Sequence, residues 1–141
     1  MFLHQVLQHS VITTPENVAL TTIDGQQITY LELSKLVAHC VDALGSFQLD
    51  VGERIGIYLP KHLLSAVAPF AVSSIGCVFV PINPLLTSDQ VEHIVSDSGL
   101  RVLITSADRL VRLGSGLQTH GSGTIVAPEG LTRPVSVDVL P

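Results

Sequence analysis

The chain has 141 residues, enough for one domain with a sizeable core, and 46% of them are hydrophobic. Only 13% are charged, about half the roughly 25% of an ordinary soluble domain, so part of its surface is expected to bury against something else. The net charge of -5 comes from scattered acids, and the seven Lys and Arg form no run, which makes nucleic acid and anionic membrane poor candidates as partners.

Phe2, Leu3, Val6, Leu7 and Val11 recur at helical spacing and predict an amphipathic first helix that ends before Pro15. The opening "MFLHQVLQHS" lacks the basic start and cleavage signature of a signal peptide, which implies a cytoplasmic location. "VALTTIDGQQITY" predicts a hairpin, with Asp24-Gly25 as its turn. Thr29 then caps a second helix with Glu32 three residues on, and Leu33, Leu36, Val37, Cys40, Val41 and Leu44 form its apolar stripe up to a stop at Gly45.

From Arg54 strands and helices alternate: strand "RIGIYL", helix 61 to 75, strand "CVFV", helix 87 to 98, strand "RVLIT", short helix 106 to 113, strand "TIVA". Leu63 to Ile82 carries no formal charge, but Pro69, Gly76 and Pro81 break it into a helix and a strand, so no membrane span is expected. The all-apolar strand 77 to 80 suits a sheet covered on both faces, and Pro81 and Pro84 should stop it. Thr87 restarts the chain as a helix, with Gln90 completing a capping box, Leu86 packing on Val91 and Gly99 closing the far end. The alternation predicts an α/β fold: a mostly parallel open sheet with helices on both faces, plus a small β-hairpin. Beyond Gly114 at most one strand is expected. Residues 1–128 read as one α/β unit and 129–141 as a connector.

No catalytic, cofactor-binding or metal-ligating residue emerges from the motifs. There is neither GxGxxG nor a P-loop, and the glycine-rich run Gly114 to Gly123 carries no lysine, so it reads as a plain loop. Histidines 4, 9, 39, 62, 93 and 120 form no ligand cluster, and Cys40 and Cys77 read as buried thiols. Glu92 and Asp97 are five apart, about 140° around a helix, which is a poor arrangement for paired acid and base work. Ser10, Ser34 and Ser65 lack a nucleophile elbow.

Taken together, "ITYLELSKLVAHCVDALG" and "SIGCVFVPINPLLTSDQVEHIVSDSGLRVLIT" resemble the first two core motifs of the adenylate-forming enzymes, which include acyl-CoA synthetases, luciferases and peptide-synthetase adenylation domains. "PENVAL" and "VGERIGIYLP" fit the same order, and "IYLPK", "VFVPINPLL" and "LITSADRL" look most like the acyl-CoA ligases associated with bacterial exosortase systems. Ser73-Ser74-Ile75 stands where the family usually has Lys-Ala before the motif glycine. The resemblance implies the N-terminal part of an AMP-forming ligase, a fragment inactive alone. The whole enzyme would use ATP, Mg and CoA to turn a carboxylic (fatty) acid into an acyl-adenylate and then a thioester. The remainder of the ligase is then the implied partner, no cofactor is held by this chain, and the isolated chain should self-associate through an uncovered apolar face. A free-standing α/β protein-interaction module and a flavodoxin-like nucleotide binder are the competing readings.

Overall fold

The computed structural model of the chain describes residues 1–113, 123–126 and 135–136. Helix α1 (Leu3–Thr13) is followed by strands β1 (Val18–Thr22) and β2 (Gln27–Thr29), and then by helix α2 (Tyr30–Gly45). β1 and β2 pair antiparallel, as the hairpin reading requires. Their turn works because Gly25 takes φ +85°, and because the buried Thr22 hydroxyl donates to Asp24 while accepting from the Gln26 amide at 2.9 Å.

At the start of α2 the Thr29 hydroxyl accepts from the Glu32 amide at 3.2 Å, and the Glu32 carboxylate accepts from the Thr29 amide at 2.8 Å. Two amides that would otherwise lack partners are satisfied by each other's side chains. The stop differs from expectation. α2 runs through Gly45 and ends at Ser46, which stays right-handed, and the left-handed turn comes at Gln48 with φ 49°. Gly45 has no positive φ, so it does not cap.

Strand β3 (Arg54–Tyr58), helix α3 (Leu63–Ser74), strand β4 (Val78–Pro81), helix α4 (Ser88–Ser98), strand β5 (Val102–Thr105), helix α5 (Ala107–Leu113) and strand β6 (Gly123–Val126) follow in the predicted alternation. They build a parallel sheet of order β4-β3-β5-β6. Period-two alternation sorts its side chains. Ile55, Ile57, Val102 and Ile104 pack into one cluster with α1, α2 and α3, while Tyr58, Leu103 and Leu100 pack with α4 and α5 on the other face. α3 continues through Pro69, which leaves the Ser65 carbonyl without its usual helical donor.

Three expectations change. β4 lies at the sheet edge with Val78 48% exposed, so its apolar run does not mark a strand buried on both faces. It also includes Pro81. Val78 and Ile82 donate to the Glu53 and Ile57 carbonyls, so odd-numbered positions of β4 point their amides away from β3, and proline there costs no ladder bond. Beyond Gly114 the described residues hold two strands, because β7 (Val135–Ser136) pairs antiparallel with β1 and lies inside the stretch read as a connector. The rest of that stretch, and the glycine-rich run from Gly114 to residue 122 with His120, lie outside the described residues. Exposed large apolar side chains include Phe2, Val6 and Ile12 of the α1 segment and Val78 at the edge of the parallel sheet.

α4 has the same reciprocal cap as α2, but the Thr87 hydroxyl stands 3.5 Å from the Gln90 amide. That distance exceeds the usual 2.7–3.2 Å range for N–H···O bonds. Thr29→Ala should therefore cost about 1 kcal/mol and Thr87→Ala clearly less. Urea unfolding of the two variants tests this, and a larger loss at Thr87 would mean that cap geometry does not set the order.

Candidate functional site

In an open α/β sheet ligands gather outside the carboxyl ends of the strands, where the connections change direction. Here that place is the crevice between β3 and β5, since the chain leaves β3 for β4 on one side and returns past it to β5 on the other. Tyr58 and Thr105 stand opposite each other at the two strand ends, tied by a bond from the Thr105 hydroxyl to the Tyr58 carbonyl at 2.9 Å.

The turn after β4 folds over this edge. Pro84 lacks an amide to donate, and the Asn83 side chain accepts from the Leu85 amide at 2.9 Å, which closes an Asx turn. The turn is strapped down by two side chains from neighbouring elements. The buried Tyr58 hydroxyl donates to the Leu86 carbonyl at 3.4 Å, and the Arg109 guanidinium donates to the Pro84 carbonyl. Arg109 also lies 5.4 Å from the centre of the Tyr58 ring, within cation–π range.

Between these groups is a cavity of about 370 Å³, lined by Tyr58, Pro84, Leu86, Thr87, Arg109 and Arg112 among others. Among the described residues the lining contains two guanidiniums and hydroxyls but no carboxylate, thiol or imidazole. Such a set can bind an anionic group. A second cavity, about 410 Å³ and mostly apolar, lies between α1 and α2 beside Ser74, at the end of α3 away from the carboxyl edge.

Beside the crevice, two polar atoms are shut away from water without a hydrogen bond among the described residues: His62 Nδ1 and Ser106 Oγ. Each such orphan costs about 1–3 kcal/mol. Burial, first of all, lowers the His62 pKa; the Arg109 charge lowers it further, and the Asp108 charge opposes both.

The residues weighed from sequence do not assemble here, His62 excepted. His4 bonds Ser73 through Nδ1 at 3.1 Å, and His9, His39 and His93 are exposed. Ser10, Ser34 and Ser65 each donate to a backbone carbonyl one helical turn back. Cys40 and Cys77 are buried and free, as expected. Tyr58, Ser106, Arg109 and Arg112 were missed as site residues by sequence reasoning, because no catalytic or binding motif marks them, although Tyr58, Ser106 and Arg109 lie in segments that carry the family resemblance, and only strand order brings them to one edge.

The sequence model of a family described as AMP-binding enzyme matches residues 7–135. Among curated relatives, malpibaldin synthetase of Mortierella alpina is 34% identical over 113 residues, 80% of this chain and 2% of that protein. Feruloyl-CoA synthase of Amycolatopsis is 33% identical over 103 residues, 65% of this chain and 21% of that protein. The chain thus spans about a fifth or less of the curated relatives it matches. Its fold is similar to the crystal structure of the N-terminal domain of FACL13 from Mycobacterium tuberculosis, with a TM-score of 0.80 at 23% identity, covering 90% of this chain and 34% of that one. It is also similar to the anthranilate CoA ligase AuaEII, with a TM-score of 0.77 at 24% identity, covering 89% of this chain and 25% of that one.

Proposed function

The chain belongs to the AMP-binding enzyme family, and from that membership we propose that it forms the N-terminal part of an AMP-forming acyl-CoA ligase. The ligase would activate a carboxylic acid with ATP and pass the acyl group to CoA. The similarity to feruloyl-CoA synthase is the observation that carries this reading, and the fold shared with the FACL13 N-terminal domain supports it. In this proposal ATP and Mg are held by the remainder of the ligase, the protein acts in the cytoplasm, and residues 129–141 lead toward that remainder. This chain supplies scaffold and the anion-accepting cavity at the carboxyl edge, where Arg109 and Arg112 suit a phosphate-bearing acceptor such as CoA. Phe2, Val6 and Ile12 support self-association of the isolated chain.

A second reading rests on the similarity to malpibaldin synthetase and to syringomycin synthase SyrB1 of Pseudomonas syringae pv. syringae. In it the domain adenylates an acid and loads a carrier-protein thiol in place of CoA.

The test uses the whole reading frame that contains these residues, expressed and assayed with a panel of fatty and aryl acids. Acid-dependent exchange between pyrophosphate and ATP, followed by thioester formation with free CoA, is the expected result. The 141-residue chain alone should give none above a heat-killed control. Replacing Arg112 by alanine in the whole enzyme should raise KM for CoA by about tenfold, the loss of one charge-assisted hydrogen bond. Exchange without CoA thioester would favour the carrier-protein reading, exchange by the short chain would overturn the fragment reading, and an unchanged KM would remove the cavity from the acceptor path.

A further inference from the structure

We propose that the β3–α3 and β5–α5 junctions form a proton-sensitive latch over the crevice between β3 and β5, closed while the His62 imidazole is neutral and opened when it takes up a proton. The inference stands apart from the ligase reading, because its readout is hydrogen exchange and not turnover.

The two junctions are built alike. His62 precedes α3 and its carbonyl accepts from the Ser65 amide at 3.0 Å, while Ser106 precedes α5 and its carbonyl accepts from the Leu110 amide at 2.9 Å. Both residues thus occupy N-cap positions after neighbouring strands. In neither does the side chain cap its helix. An N-cap serine ordinarily gives its oxygen to an amide of the first turn, yet Ser106, only 3% exposed, has an Oγ with no partner. His62 has the same defect at Nδ1, although its residue is only half-buried.

A closed junction with two polar atoms neither solvated nor bonded is held by its apolar neighbours against the preference of those atoms. Leu59, Leu63 and Leu64 beside His62, each at most 5% exposed, supply that hold. Opening lets water reach both orphans, so the closed and open states are brought near in free energy. The imidazole decides between them. Once protonated, Nδ1 must donate, and the closed state offers it no acceptor. The N-terminus of the 12-residue α3 and the Arg109 guanidinium both disfavour a positive ring, whereas Asp108 favours it. Those two α5 side chains are the charges that act on the ring, and Lys61, next to it in the chain, is exposed.

The sign follows. Burial holds the His62 pKa below its ordinary 6.5 in the closed state, and opening restores it. Closure is therefore fully favoured above about pH 6.5 and weakens as pH falls from there toward the lowered value, where the loss levels off.

Hydrogen exchange of the Ser65 and Leu110 amides on the 141-residue chain, corrected for the intrinsic rate at each pH, reads the latch directly. Their protection factors should fall as pH drops below 6.5, with tenfold per pH unit as the ceiling for one proton per opening, and level off toward the lowered value, both amides moving together. His62→Phe keeps an aromatic ring and removes the titration, so its protection should not change with pH. His62→Asn serves the same purpose with a smaller side chain should the larger one distort the cap. Ser106→Ala removes one orphan and should raise protection at Leu110 at every pH while leaving the slope in place. Flat protection in the unaltered chain, or a slope that survives in a folded His62 variant, would overturn the latch.

Discussion

Leu100→Ala should destabilise the fold by about 2–5 kcal/mol, and adding Gly56→Ala should return part of that loss. Leu100 is fully buried directly after Gly99, whose left-handed φ of +64° ends α4 and drops the chain onto the sheet. There it meets Gly56 of β3. A methyl group at position 56 would stand 2.6 Å from Leu100 Cδ1, 2.9 Å from Leu103 Cδ1 and 3.3 Å from Ile82 Cδ1. In the unaltered core Gly56→Ala is overpacked and should cost about 1–3 kcal/mol. With Leu100 truncated the closest clash is gone and the new methyl enters the cavity. The double variant should therefore be less destabilised than the sum of the singles by more than about 0.5 kcal/mol, measured by urea unfolding of all four proteins. Additive losses would mean that the two positions do not share this space.

Alkaline pH should unfold the chain through Cys40. Burial raises that thiol from an ordinary 9.0 to about 11. The unfolded chain loses the proton first, so stability is complete below about pH 9 and falls between pH 9 and 11 as the native state alone keeps it. The slope is about 1.4 kcal/mol per pH unit and the total about 3 kcal/mol. Cys40→Ala should lose this part of the slope while starting from a somewhat lower plateau. Cys77, also raised by burial and by the nearby Glu53 and Asp50 charges, remains in both proteins and cancels from the comparison. Parallel alkaline stability curves for the two would show that the Cys40 thiol is not the group being uncovered.

Much of this fold was legible in the chain because its signals are local. Thr29 with Glu32, Thr87 with Gln90, Gly25 and Gly99 act within four residues of themselves, and each does what its neighbours require. Edge and centre are not local properties. "CVFV" has the composition of a buried strand and lies at the rim, since strand order is decided by how helices pack. Proline at 81 is harmless for the same reason: it depends on which side of β4 has a neighbour. The pairing of β7 with β1 depends on residues more than a hundred positions apart. The site was the least legible part. Tyr58 and Arg109 are ordinary in their own segments and become a strap only when β3 and α5 converge on the turn after β4. His62 was visible as one of six scattered histidines, but its lack of a partner is a tertiary fact.

That β1–β7 pairing has a consequence in time. The hairpin of β1 and β2 can form as soon as residue 29 has left the ribosome, but the strand that covers the other edge of β1 ends the described chain at Ser136. At roughly 5–20 residues per second, the intervening stretch of about 100 residues takes on the order of 5–20 s to synthesise. Through that interval the nascent chain presents β1 with one row of unpaired amides and carbonyls. The parallel sheet can assemble meanwhile, so among the described residues the small sheet closes after the parallel one and is the more exposed to slow translation.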